Sequence, residues 1–278
     1  ISFCVTAEGD RYRKMKENGV TINGKIYRPE VKTPEEARGA DLILVCTKYQ
    51  GLPSACDMLE KMVEEHTVVL SLLNGIYSEE IIAERIGGEH LLYSVMRISS
   101  ERRDGKITFI PERVIGISVG EKGISEVTPR MQAFADILEA AGLKCLIQKD
   151  ILLDQWSKYS MNMIYNLPQA VLNVGFGAYY DREHMAAIRD RVFEEVCAVA
   201  QAEGIPLEKQ GDWRSACVKK ARFSTLQDLD AGRHTEVEMF AGALMKLAKK
   251  HHLEVPFCEF CYHAIRTLEQ KGDGMFEY

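Results

Sequence analysis

The chain has 278 residues, 46% of them hydrophobic and 27% charged, the balance of an ordinary soluble globular protein with room for two domains. A net charge of −6 and a pI near 5.7 argue against a nucleic-acid binder, which would carry a basic face. No apolar run reaches the length of a membrane span and no signal peptide is read at the start, so a cytoplasmic location is expected.

Residues 1–6 form a short β-branched run and read as a strand. A helix over 7–18 should close at Gly19. Within 20–31, Asn23-Gly24 lies between alternating apolar residues, the signal of a two-residue hairpin. The apolar runs 41–47 (DLILVCT) and 67–73 (TVVLSLL) read as buried parallel strands around a helix over 52–65, a βαβ unit. Lys48 and Asn74-Gly75 follow the carboxyl ends of those strands, where open parallel sheets bind their ligands. A β-rich stretch over 91–120, a helix over 129–141 and a strand over 144–148 complete an α/β domain spanning 1–149.

A dinucleotide-binding unit opens with a strand and a G-x-G-x-x-G loop. None is found here. An acidic residue about 20 residues past those glycines normally grips the ribose, and Glu8, just after the opening strand, suits that place. On that spacing the first strand and the glycine loop are expected upstream of Ile1.

Beyond Asp150 the pattern turns helical, over 152–165, 181–203, 207–220, 235–251 and 256–270, and an all-α domain is expected over 150–278. Lys158, Asn162 and Asn166 stand four residues apart in WSKYSMNMIYN. Each four-residue step turns the direction by about 40°, so the three share a face. An amine and two amides on a largely buried helix predict a polar site facing a cleft. In isolation, K-x3-N-x3-N would more often be solvated surface. In STLQDLDAGRHTEVE (224–238), His234 or Thr235 can cap a helix with Glu236 and Glu238 in its first turn. Those two carboxylates point to different faces, so only one can serve a site.

The eight cysteines lie mostly in apolar runs, among them Cys4, Cys46, Cys145 and Cys197, as expected of reduced core residues in a cytosolic protein. Cys258 and Cys261 form a C-x-x-C with no second ligand pair nearby, and read as two cysteines on one helix after Pro256. The seven histidines show no ligand spacing, which leaves a metal-dependent lyase or hydrolase unsupported.

In order and interval these motifs resemble those of the ketopantoate reductase family over essentially the whole chain. The residues that carry the resemblance are Lys48 in VCTKYQ, Asn74-Gly75 in LLNG, Trp156, Lys158, Asn162 and Asn166 on one helix, and Ser224 with Glu236. Two departures stand out. Asn166-Leu167-Pro168 replaces the family's frequent Asn-Pro-Leu, and Glu8 stands where the family often has an Arg suited to the 2′-phosphate of NADP.

The resemblance implies a Rossmann-type N-terminal domain followed by an all-α catalytic domain. It implies reduction of ketopantoate to pantoate with a nicotinamide cofactor, a step toward pantothenate and coenzyme A. Lys158 would be the general acid and Glu236 would orient it. Asn162, Asn166, Ser224 and Asn74 would bind substrate, and Lys48, Asn74 and Glu8 would lie against the cofactor. NADP(H) is the family's default; Glu8 leaves NAD(H) open, while Arg11, Arg13 and Lys14 could hold a phosphate. A homodimer is a possible partner state. Two alternatives stay open: a related enzyme of another branched or aromatic 2-oxo or 2-hydroxy acid, and a catalytically silent nucleotide-binding relative.

Overall fold

The computed structural model of the protein describes residues 1–98, 100–103, 105–208 and 218–278. The chain forms two compact units, one of residues 1–73 with 78–151 and one of residues 74–77 with 152–278. The short stretch 74–77 therefore leaves the strand-bearing unit and packs with the helical one.

The first unit runs β1 (Cys4–Thr6), α1 (Gly9–Asn18), β2 (Val20–Ile22), β3 (Lys25–Tyr27), β4 (Glu30–Lys32), β5 (Leu42–Val45), α2 (Leu52–Met62), β6 (Val68–Ser71), α3 (Ser78–Ile86), β7 (Leu91–Arg97), β8 (Ser100–Arg103), β9 (Lys106–Phe109), β10 (Gly116–Gly120), α4 (Pro129–Ala140) and β11 (Cys145–Ile147). Its main sheet has the order β11-β10-β7-β6-β5, with β5, β6 and β7 parallel and β10 antiparallel to β7. Val69, Leu70, Leu92 and Val119 are wholly buried in it, as strands covered on both faces require. Met131, Phe134 and Leu138 recur at helical spacing along α4 and pack against that sheet. β1 and β4 pair in parallel as a separate two-stranded ladder.

Asn23 and Gly24, at φ 47° and 78°, make the expected tight turn between β2 and β3. Asn23 also ties this hairpin down. Its Nδ2 donates to the Phe109 carbonyl and its Oδ1 accepts from the Phe109 N–H, each at 3.0 Å. The result is a four-stranded side sheet, β3-β2-β9-β8.

The second unit runs α5 (Ile151–Leu172), α6 (Ala178–Asp181), α7 (Glu183–Ala202), α8 (Ser224–Asp230), a π-helical segment (Glu238–Gly242), α9 (Ala243–Lys250) and α10 (Pro256–Gly272). Here the structure departs from the sequence pattern. α5 runs beyond residue 165 to Leu172 with Pro168 inside it. The proline offers no N–H to the preceding turn. Packing holds that turn: Leu167 and Ala170 are buried, and the Tyr179 hydroxyl donates to the Tyr165 carbonyl at 2.6 Å. α8 occupies 224–230, where the pattern predicts no helix. The helix predicted over 235–251 begins as the π segment at Glu238, which leaves Glu236 in a bend ahead of it. The helix predicted over 207–220 falls mainly on 209–217, outside the described residues.

The cysteines also distribute differently. Cys46 lies past the end of β5 and is exposed, and Cys4, Cys145 and Cys197 are half-buried; among the described residues Cys56, Cys258 and Cys261 are the buried cysteines. Cys258 and Cys261 share α10 as expected, and burial pushes the Cys261 thiol up to about 12. Among the described residues no group of three or more His, Cys, Asp or Glu could hold a metal ion, and no helix is long and apolar enough to cross a membrane.

The start of α10 is capped from α7. The Glu195 carboxylate accepts from the Phe257 and Cys258 N–H groups at 2.8 and 2.9 Å, which satisfies two orphan donors at the positive end of a helix. Glu195→Ala is expected to cost about 1–2 kcal/mol, read as a lower urea midpoint at unchanged m-value.

Candidate active site

Three of the sequence-predicted residues meet within the second unit. Lys158 projects from α5, Asn74 stands in the short 74–77 loop, and Glu236 lies in the bend before the π segment. Lys158 Nζ donates to Asn74 Oδ1 at 2.9 Å, and Asn74 Nδ2 donates to Glu236 Oε2 at 3.3 Å. An ammonium can only donate and a carboxylate can only accept, so a single orientation of the Asn74 amide serves both. All three side chains are half-buried. The loop that brings Asn74 there is held by Ile76, buried in the helical core, and by Gly75, which lies against Met239.

The stripe along α5 forms as its spacing predicts. Asn166 is buried, Asn162 is half-buried, and Asn166 Nδ2 donates to Asn162 Oδ1 at 3.4 Å. Ser224 opens α8 and is exposed.

Lys48 and Glu8 belong to the first unit. Lys48 is exposed, just beyond β5 and ahead of a 3-10 turn at Tyr49–Gly51. Glu8 sits in extended backbone between β1 and α1. Its Oε1 accepts from Lys61 Nζ at 2.8 Å, and that ammonium also lies 3.2 Å from Glu35. The Glu8 carboxylate thus has a cationic neighbour on α2, 53 residues away in the chain. On α1, Arg13 is paired with Asp10.

Two residues that engage the Glu236 segment were not singled out from the sequence, Tyr159 and Glu269. For Glu269 a signal existed: it continues the buried stripe of Cys258, Cys261 and Ile265 along α10, and a carboxylate in such a row needs a partner.

The chain matches the family model described as "Ketopantoate reductase PanE/ApbA" over residues 3–117, and its partner "Ketopantoate reductase PanE/ApbA C terminal" over residues 150–269. It is 26% identical over 274 residues to the 2-dehydropantoate 2-reductase of Streptococcus pyogenes, covering 94% of this chain and 87% of that one. It is 27% identical over 273 residues to the 2-dehydropantoate 2-reductase of Pyrococcus horikoshii, covering 96% and 89%. Its fold overlays D-mandelate dehydrogenase, in a ternary structure with NADH and anilino(oxo)acetate, at a TM-score of 0.83 and 20% identity, covering 98% of this chain and 92% of that one. The two family models follow one another in the right order, the first taking in Lys48 and Asn74 and the second Lys158 and Glu236. The chain belongs to the ketopantoate reductase family, a family of oxidoreductases.

Proposed function

We propose that the protein reduces 2-dehydropantoate to pantoate with a nicotinamide cofactor, as a step toward pantothenate and coenzyme A. Residues 1–149 bind the dinucleotide in this reading, and residues 150–278 bind the substrate. The observation that carries it is the Lys158–Asn74–Glu236 chain of hydrogen bonds, built from the residues the family motifs single out. A nicotinamide cofactor held by the first unit, with Lys48 and Asn74 against it, would supply the hydride for the C2 carbonyl carbon. The oxygen gains charge as that carbon is reduced, and Lys158 delivers a proton to it and stabilises the charge meanwhile. Glu236, through Asn74, holds the ammonium in place. Asn162, Asn166 and Ser224 hydrogen-bond the substrate's hydroxyl and carboxylate, Asn166 in part through its bond to Asn162.

The exposed residues just past β5, Cys46 and Lys48, fit the approach of a cofactor phosphate. Glu8 accepts hydrogen bonds and favours a free ribose hydroxyl, whereas Lys61 beside it and Arg11, Arg13 and Lys14 on α1 favour a phosphate. NADP(H) is the cofactor in this reading and NAD(H) the alternative. A second reading, a related enzyme of another branched or aromatic 2-oxo acid, draws on the D-mandelate dehydrogenase likeness.

Titration of the natural full-length protein with NADPH and NADH, followed by turnover on a panel of 2-oxo acids, tests both readings. NADPH and ketopantoate should give the highest kcat/KM. Ketopantoate no better than aryl or other branched 2-oxo acids would favour the second reading, and no turnover with either cofactor would remove both.

A further inference from the structure

We infer that Tyr159 and Glu269 are positioning residues that clamp the Glu236 segment at its two ends, so that Asn74 can join it to Lys158; this rests on the reading of Lys158 and Glu236 given above. Glu236 is not on a regular helix but in a bend, and its carbonyl accepts from the Met239 and Phe240 N–H groups at 3.0 and 3.1 Å. Contacts from two other helices add to that hold on either side of it.

The upstream clamp comes from α10. Glu269 has a side chain only 1% exposed, and its Oε1 accepts from both the N–H and the hydroxyl of Thr235 at 2.6 Å. The same Thr235 hydroxyl accepts from the Val237 N–H at 3.2 Å, so one oxygen spans the two neighbours of Glu236. Arg266 Nη1 donates to Glu269 Oε2 at 2.5 Å, and His234 Nδ1 stands 3.7 Å from that oxygen. A buried, paired carboxylate is seldom more stabilising than an apolar side chain of similar volume. A carboxylate standing in the core row of Cys258, Cys261 and Ile265 is better explained by what it holds than by fold stability.

The downstream clamp comes from α5. Tyr159 is the chain neighbour of Lys158, and its hydroxyl donates to the Phe240 carbonyl at 2.6 Å. Phe240 lies in the π segment, whose wider turn is marked by the Gly242 N–H reaching back to the Val237 carbonyl at 3.1 Å. Single π turns of this kind recur at functional sites. Tyr159 is 1% exposed and packs its ring against Trp156 and Phe240. The helix that presents the amine is thereby fastened to the segment that presents the carboxylate, four residues beyond Glu236. A misplacement of about 1 Å at a reacting group can cost about 10²-fold in rate, and the 3.3 Å bond from Asn74 to Glu236 has little slack.

The test compares Tyr159→Phe, Glu269→Gln, Thr235→Val and Thr235→Ser with wild type, using the best 2-oxo acid from the panel and saturating cofactor. Lys158→Ala serves as the control, and melting temperatures are read throughout. Tyr159→Phe and Thr235→Val should each lose about 10–100-fold in kcat with KM within about threefold. Glu269→Gln should lose less than Thr235→Val because it keeps an acceptor oxygen, and Thr235→Ser should return to within about twofold of wild type. Folded Tyr159→Phe and Thr235→Val proteins with kcat within twofold of wild type, or with their whole loss in KM, would overturn the inference. Tyr159→Phe keeps its ring in place, so it decides the matter even if Thr235→Val fails to fold. If Lys158→Ala itself retained full turnover, the underlying reading of Lys158 would fall instead.

Discussion

Lys158→Ala is expected to lower kcat by roughly 10²–10⁴-fold, the range that a positioned general acid supplies, with little change in melting temperature. The amine is half-buried and bonded to Asn74 Oδ1 at 2.9 Å, so its removal leaves an amide oxygen that water can reach. The cost to folding is therefore small while the cost to chemistry is large. Lys158→Arg separates the two roles of the side chain. A guanidinium keeps the charge but does not give up a proton near neutral pH, so it should restore part of the electrostatic contribution and none of the proton transfer. Steady-state kcat and its solvent isotope effect read this directly. A Lys158→Ala enzyme within tenfold of wild type would remove Lys158 from the role of acid.

Local periodicity carries much of the fold and part of the candidate site. The continuous apolar runs became β5 and β6, and Asn23-Gly24 became the hairpin turn. The four-residue spacing of Lys158, Asn162 and Asn166 needed only helical geometry to place them on one face. What stayed hidden depends on contacts between residues distant in sequence. Asn74 lies 84 residues from Lys158 and 162 from Glu236, and no pattern near 74 says that its loop packs with the helices. The passage of α5 through Pro168 is a tertiary override of a local breaker, held by Tyr179 and by buried neighbours. α8 is seven residues long, too short for its periodicity to stand out from the polar run around it. The π segment has no sequence rule of its own, and the local pattern puts Glu236 in a helical first turn although it sits in the bend ahead. Cys46 lies inside the apolar run 41–47 and so reads as core, yet it stands one residue beyond the strand.

Gly75→Ala is expected to damage stability and catalysis together, because one residue fixes both the loop and the amide next to it. Gly75 has φ +98°, a region that side chains rarely enter, and a Cβ there would lie 2.7 Å from Met239 Cγ and 3.3 Å from the Met239 carbonyl oxygen. Backbone strain of this kind costs about 1–3 kcal/mol, and the methyl group must also push back a side chain that is itself only 1% exposed. Met239 belongs to the π segment and Asn74 adjoins Gly75, so either relaxation disturbs the bridge from Lys158 to Glu236. The loop can withdraw and carry Asn74 away, or the π segment can shift and carry Glu236. A fall in kcat on the order of tenfold should therefore accompany the lower urea midpoint. Met239→Ala removes Cγ and relieves the shorter contact but leaves the carbonyl oxygen and the positive φ untouched. In the double-mutant cycle, Gly75→Ala should cost clearly less on the Met239→Ala background than alone, a coupling of about 0.5–3 kcal/mol between touching residues. Strict additivity would mean that the two do not press on each other and that the loop takes its place for another reason.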